Sequence, residues 1–307
     1  MRVAITGGTG FIGAALTQHL RDRGDEVLVL TRRATARQGE LRWAPDRPLP
    51  PLRELEGLDA VVNLAGAPIA TRPWTQRRRG ILRASRLQVT EHLLGALSEL
   101  RAPPRAFVGI SGLWRYGDRG DDVLTEVDDR VAGGFLAQLA VDWEDTQLQA
   151  ERLGARVAVL RLAMVLGAQG GVLPLMIKPF QVGIGGWLGD GTQYIPWISL
   201  RDTVRALVLL LDEPSATGVF NGTAPAPCTN KTFFSALGAA LGQSVSLQAP
   251  SWVLRGAFGC MAEELLLAST RAAPEALLNA GFTFRDGEIR GTMRGLLDQH
   301  SGGQPAF

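Results

Sequence analysis

MRVAITGGTGFIGAALTQHLRDRGDEVLVLTRR, Met1 to Arg33, is the stretch on which the fold of this chain turns. Val3-Ala4-Ile5 is a short apolar run without alternation, the pattern of a parallel strand covered on both faces. Gly7, Gly10 and Gly13 follow at GxxGxxG spacing. In such a loop one glycine permits a tight turn, one lets the backbone approach a pyrophosphate, and one lets the helix lie close to the strand. A helix is predicted from near Gly10, with its free N–H groups and its dipole directed at the phosphates. Phe11, Ile12, Ala15, Leu16 and Leu20 give it an apolar stripe at helical spacing. Arg23-Gly24-Asp25 ends the helix, and Val27 to Leu30 reads as the second strand. A glycine pattern alone is weak. Set inside a βαβ unit, after a strand and before an amphipathic helix, it reads as a dinucleotide site.

The second strand ends Leu30-Thr31-Arg32-Arg33. An NAD site places an Asp or Glu here for the ribose 2′-hydroxyl. This chain has no acid at that point and offers two guanidiniums, which can hold a phosphate in a fork of N–H bonds. The expected cofactor is therefore NADP(H), with Arg32 and Arg33 on the adenosine phosphate.

The 307 residues are 46% apolar and 20% charged, an ordinary globular balance with room for a large core. A net charge of +2 gives no reason to expect a nucleic-acid partner. Cys228 and Cys260 stand alone, without a CxxC pair, and point to a reducing compartment or buried thiols. His19, His92 and His300 lack metal-ligand spacing, so no metal is expected. The first residues read as a core strand and not as a signal peptide. No apolar run approaches the ~20 residues that span a membrane. The expectation is a soluble cytoplasmic protein with a small-molecule substrate, no membrane partner, and either a monomeric or a homodimeric state.

Further along, Glu40 to Trp43 reads as a short third strand, and Pro45, Pro48, Pro50 and Pro51 mark a loop. Ala60 to Gly66 (AVVNLAG) is a buried strand ending in small residues, which leave room for a ligand at the sheet edge. Trp74 to Leu100 reads as one long helix with a basic beginning, and Arg105 to Ser111 as the next strand. Gly133-Gly134 precedes a helix carrying Phe135, Leu136, Leu139, Ala140 and Trp143 on one face. Arg156 to Leu162 is a sixth strand. Strands and helices in alternation predict an α/β fold with a doubly wound parallel sheet. From Val165 onward glycines crowd the sequence around a helix at Leu173 to Val182, as in binding loops or lids. Tyr194 to Ser199 then reads as a strand, Leu200 to Leu211 as a helix, and Gly218 to Asn221 as a strand. Thr229 to Leu241 is a helix capped by Thr229 or Asn230, and further helices are expected near Trp252 to Leu267 and Pro274 to Asn279.

TGGTGFIG at Thr6–Gly13, with Asn63-Leu64-Ala65-Gly66 and Ser111, resembles the extended short-chain dehydrogenases/reductases. The chain is most similar to an atypical branch of NAD(P)-dependent epimerase/dehydratase-like proteins, sometimes labelled cell-division-inhibitor-like, which carry an uncharacterised C-terminal domain. Asp142-Trp143-Glu144 and Met261-Ala262-Glu263-Glu264-Leu265-Leu266-Leu267 are the most specific parts of that resemblance. It implies a Rossmann domain over residues 1–164 and about 200–222, and a smaller C-terminal substrate domain over 165–199 and 223–307. It also implies that Gly7, Thr9, Gly10, Phe11, Ile12 and Gly13 hold the pyrophosphate. Leu64, Ala65 and Gly66 would line the nicotinamide-side ribose, and Ser111 would be the active-site serine.

The chemistry of that superfamily uses a Tyr and a Lys four residues later on one helix, the Lys lowering the phenol pKa for proton exchange. This chain has two tyrosines, Tyr116 and Tyr194, two lysines, Lys178 and Lys231, and no YxxxK. Counting back from Glu144 puts Leu136 and Ala140 in the two places. Three readings stand open at this point. Another group could serve as acid, Tyr116 first, with Asp118, Asp121 and Glu126 behind it. Ser111 alone or water could suffice for an activated small carbonyl or sugar-like substrate. Or the chain holds NADP(H) as a sensor or interaction module and is not an enzyme.

Overall fold

The apolar run at Val3-Ala4-Ile5 is fully buried in a strand, β1 (Arg2–Thr6), third from one edge of a seven-stranded sheet. The other strands are β2 (Glu26–Thr31), β3 (Glu40–Arg42), β4 (Ala60–Asn63), β5 (Ala106–Gly112), β6 (Arg156–Leu162) and β7 (Gly218–Gly222). Their spatial order is 3-2-1-4-5-6-7. β1 runs parallel to both β2 and β4, and β3 and β5 extend the parallel pairing outward. The order reverses beside β1, so the crevice above β1 and β4 is the topological switch point where such sheets take ligands. The structure is a computed structural model and describes residues 1–33, 37–44 and 52–302. The proline stretch 45–51 lies outside the described residues.

The chain divides into two compact units. The first comprises Met1–Ser111, Leu139–Leu160 and Val204–Val219; the second Gly112–Gln138, Arg161–Thr203 and Phe220–Phe307. In the first, helix α1 (Phe11–Asp22) buries Ala15, Leu16 and Leu20, the stripe read from the sequence. Val61, Leu93, Leu97, Phe107, Val157 and Val159 form the core beneath the sheet. Each such side chain taken from water contributes roughly 1.5–3 kcal/mol.

The long helix expected from Trp74 to Leu100 is two helices, α2 (Gln76–Ala84) and α3 (Leu87–Ser98). Ser85 explains the break. Its hydroxyl donates to the Leu82 carbonyl (3.1 Å) and accepts the Ala67 N–H (3.0 Å), tying the chain to the loop after β4. Arg86, at φ −112° and ψ −60°, is wide of helix backbone values. Local bonds of this kind compete with helix continuation and leave no trace in apolar periodicity.

In the second unit, Leu173–Gln181, Asn230–Ala240 and Ile289–Gly302 are helices whose Ile177, Phe180, Phe233, Leu237, Ile289 and Met293 pack together. The last of these helices is not among those expected from apolar periodicity. Thr229 caps Asn230–Ala240 by accepting the Thr232 N–H. The strand expected over Tyr194 to Ser199 is two, Tyr194–Ile195 and Trp197–Ser199, parted at Pro196, which has no N–H to donate. The helix expected near Trp252 to Leu267 stops at Phe258. Gly259, at φ +57°, turns the chain before a π-helical turn over Ala262–Leu267.

That turn supplies a cap at a distance. The Glu264 carboxylate accepts the N–H groups of Phe135 (3.1 Å) and Leu136 (2.7 Å), at the start of helix α4 (Phe135–Leu148). A carboxylate there satisfies orphan donors and suits the helix dipole. Gly134, at φ +112°, lies so close that a Cβ would stand 2.9 Å from the Glu264 carboxyl carbon.

A buried carboxylate ties down the C-terminal segment. Asp202 is fully buried and accepts the backbone N–H groups of Arg285 (3.0 Å) and Asp286 (2.8 Å). Beside it, Arg201 pairs with Asp286 at 2.6 Å on the surface. Among the described residues no helix is long and apolar enough to cross a membrane, and no cluster of His, Cys, Asp or Glu could hold a metal. Asp202→Ala, which strands the Arg285 and Asp286 donors, is expected to cost about 2–4 kcal/mol in urea unfolding. Asp286→Ala, which breaks only the exposed pair, is expected to cost under about 1 kcal/mol.

Candidate functional site

The glycine loop folds on itself between β1 and α1. The Gly10 N–H donates to the Gly7 carbonyl at 2.9 Å, and the Ala14 N–H to the Gly10 carbonyl at 2.8 Å. A Cβ on Gly13 would stand 2.2 Å from the Gly7 carbonyl oxygen, so only glycine allows helix and turn to approach this closely. Gly7, at φ +67°, occupies a left-handed conformation, and a Cβ there would meet the Leu64 carbonyl at 2.7 Å. Gly10 offers no side-chain cap and the first turn of α1 holds no acid. The first N–H groups of α1 thus face a surface edge with Thr9 and Gly10 exposed, a cradle for a phosphate-bearing group.

The neighbouring strand end is held by one hydroxyl. Thr6 Oγ1 donates to Asn63 Oδ1 at 2.7 Å and accepts the N–H groups of Leu64 and Ala65, each at 3.1 Å. The Asn63 amide then donates to Thr90 Oγ1 at 2.8 Å, which donates to the Arg86 carbonyl at 2.7 Å. The Trp143 indole N–H also reaches Thr90 Oγ1, at 3.3 Å. β1, β4, α3 and α4 are joined through this buried chain. It fixes Leu64, Ala65 and Gly66 beside the glycine loop. Among these only Gly66 is exposed, and a Cβ on it would stand 3.0 Å from Arg86 Nη2.

At the end of β2, Arg32 and Arg33 are both exposed. Arg33 stands 3.6 Å from the Glu40 carboxylate, while Arg32 makes no ion pair among the described residues. Ser111, near the end of β5, is buried and donates to the Glu144 carboxylate on α4 at 2.6 Å. In the sequence Glu144 has only a place in a motif, because the 33-residue separation hides its bond with Ser111.

Tyr116 was expected as a proton donor near the strand edge. The structure instead places it in a buried polar cluster, with no exposed surface. Its hydroxyl accepts from Arg161 Nη1 at 2.8 Å and lies 3.0 Å from both the Thr125 carbonyl and Asn221 Oδ1. Burial raises its pKa, against the opposing charge of Arg161. A phenol so enclosed holds three segments of the second unit together. Leu136 and Ala140, where the missing Tyr and Lys are counted, are fully buried and apolar.

A family model described as the NAD dependent epimerase/dehydratase family matches residues 3–221. The chain belongs to that family. A second model, a domain of unknown function (DUF1731), matches residues 249–296, in line with the uncharacterised C-terminal domain that the resemblance implied. The epimerase family protein Mb2239 of Mycobacterium bovis is 43% identical over 287 residues, 94% of each chain. The human epimerase family protein SDR39U1 is 34% identical over 305 residues, 97% of this chain and 100% of that one. The crystal structure of its isoform 2 with NADPH aligns at a TM-score of 0.88 and 33% identity, over 97% of this chain and 99% of that one. A nucleoside-diphosphate sugar epimerase from Corynebacterium glutamicum aligns at 0.78 and 31%, over 97% of this chain and 58% of that one. The Rossmann sheet expected for this family member is the one described above.

Thr6→Val keeps the shape of the side chain and removes three hydrogen bonds. It strands the Ala65 N–H and Oδ1 of the Asn63 side chain. Urea unfolding is expected to show a loss of about 2–4 kcal/mol.

Proposed function

We propose that this family member holds NADP(H) on the Gly7–Gly13 loop and acts as an oxidoreductase or epimerase-like protein on a small carbonyl or sugar-like substrate. The observation that carries the cofactor half is the uncapped start of α1 above a loop in which Gly7 and Gly13 have no room for a Cβ, with Arg32 making no ion pair among the described residues at the end of β2. Gly7, Thr9, Gly10, Phe11, Ile12 and Gly13 would take the pyrophosphate, and Arg32 with Arg33 the adenosine phosphate. Leu64, Ala65 and Gly66 would border the nicotinamide-side ribose. NADPH in the human relative's crystal structure supports the same choice. The bound nicotinamide supplies a hydride acceptor or donor.

For proton movement the chain offers Ser111 and Glu144. The Ser111 proton is directed at the carboxylate, which leaves the lone pairs of Oγ to act as acceptors. A substrate hydroxyl could give its proton to Ser111 as Ser111 gives its own to Glu144. The pair would then do the work the absent Tyr and Lys do elsewhere. Tyr116 is the poorer donor, since its hydroxyl is enclosed by Arg161, Thr125 and Asn221. The second reading, a silent NADP(H)-binding sensor, is favoured by the fully buried Leu136 and Ala140.

Two measurements divide these readings. Fluorescence titration is expected to give NADPH at least about tenfold tighter binding than NADH, and Arg32→Ala is expected to remove that preference. Equal affinities in the unaltered chain would sink the NADP(H) assignment. With a panel of small carbonyl compounds, Ser111→Ala and Glu144→Gln are each expected to lower kcat by about 10²–10⁴ while leaving NADPH affinity in place. Tight NADPH binding without turnover of any panel member decides for the sensor.

A further inference from the structure

Arginines gather at the start of α2. Around it, Arg72, Pro73, Thr75, Arg77, Arg78 and Ile81 line a pocket of about 350 Å³. Arg72 and Arg77 are exposed and have no hydrogen-bond or ion-pair partner among the described residues. Arg83, one helical turn and more along α2, contrasts with them in having Asp142 at 2.6 Å. The Arg78 guanidinium donates to the Pro68 carbonyl, and its Nε is buried without a partner.

The backbone adds to this field. The first turn of α2 holds no acidic residue, and the Thr75 side chain caps only the Arg78 N–H. The Gln76 and Arg77 N–H groups, at the positive end of the helix, stay available beside the pocket. Behind it stands Arg86, 5% exposed. Its guanidinium donates to the Leu82 and Ala67 carbonyls, each at 3.1 Å, and lies against the Trp143 ring. Its Nε has no partner, and no carboxylate pairs with it among the described residues. Burial first, and the charge of Arg78 second, lower its pKa to about 10. A buried cation beside Arg78, without a paired carboxylate among the described residues, is an arrangement that an anion would relieve.

We propose that this pocket is a phosphate site, taking the phosphate group of a small phosphorylated metabolite between the forks of Arg72, Arg77 and Arg78 and the N-terminal amides of α2. Guanidinium forks and a helix start match a tetrahedral oxyanion, and the volume exceeds that of a lone phosphate. Arg78 and Arg86 grip consecutive carbonyls, those of Pro68 and Ala67, in the loop that leaves β4. That loop continues from Leu64-Ala65-Gly66, so the anchored metabolite would be the substrate. This last step rests on the cofactor site proposed above; the phosphate site itself does not.

Calorimetry separates the two. The Arg32→Ala chain, in which the adenosine-phosphate site is weakened, is titrated at constant ionic strength with orthophosphate, glycerol 3-phosphate and glycerol. Saturable binding of both phosphates, tighter for the ester, and none of glycerol is the expected result. Adding Arg72→Gln and Arg77→Gln together is expected to weaken phosphate binding by about a hundredfold, about tenfold for each charge-assisted hydrogen bond removed. Adding Arg83→Gln instead is expected to leave it unchanged. No saturable heat from either phosphate, or an affinity that survives the double substitution, overturns the site. Binding of orthophosphate without the ester overturns the substrate assignment. NADPH titration of the unaltered chain runs beside these, so a failure of the cofactor reading would register there and leave the phosphate result standing.

Discussion

The Thr6 hydroxyl is the smallest group on which the most structure depends. One oxygen donates to Asn63 and accepts from the backbone of Leu64 and Ala65. It sits at the end of β1, where the glycine loop departs, and it fixes the end of β4, where the next loop departs. The two loops border the switch point of the sheet, so their spacing decides whether a dinucleotide can lie across it. Main-chain pairing within the sheet stops at these residues. Beyond it the backbone donors need side-chain partners or water. Thr6 supplies the partner, and Asn63, Thr90 and Trp143 relay the constraint to the helices beneath.

How much of this can be read from sequence follows from how local each cause is. The βαβ unit is local: glycine spacing, an apolar stripe and a buried strand lie within 33 residues, and the structure has each where periodicity puts it. The division of Trp74 to Leu100 into two helices is not legible in that way. Its cause is a hydrogen bond between Ser85 and Ala67, eighteen residues away, which apolar periodicity does not encode. The cap on α4 is further still, since Glu264 reaches Phe135 and Leu136 across 129 and 128 residues. The segment carrying Glu264 is recognisable as a specific sequence mark, but its physical job appears only when the chain is folded.

The candidate site divides along the same line. Residues that act through backbone conformation, Gly7 and Gly13, announce themselves, because no other residue type fits the space they occupy. Residues that act through a partner do not. Ser111 is notable because of Glu144, and Arg86 because no carboxylate pairs with it among the described residues; neither fact is a property of the residue's own neighbours in sequence. Tyr116 shows the converse. Its nearness to Ser111 along the chain made it a candidate donor, whereas its hydroxyl is enclosed by Arg161, Thr125 and Asn221.

The absence of the Tyr and Lys pair also constrains which chemistry remains. A phenol with a lysine beside it can give and take a proton near neutral pH and works on an unactivated alcohol or ketone. A serine bonded to a carboxylate can accept a proton readily but yields one only if the carboxylate returns it. Such a pair favours proton removal, from a hydroxyl being oxidised or from a carbon made acidic by a neighbouring carbonyl. Helix α4 leaves no room for that pair at these two positions. Leu136 and Ala140 are fully buried, so a tyrosine or lysine there would overfill the core or bury an unpaired charge. The proposed proton transfer therefore rests on Ser111 and Glu144, the hydroxyl and carboxylate bonded to each other at 2.6 Å.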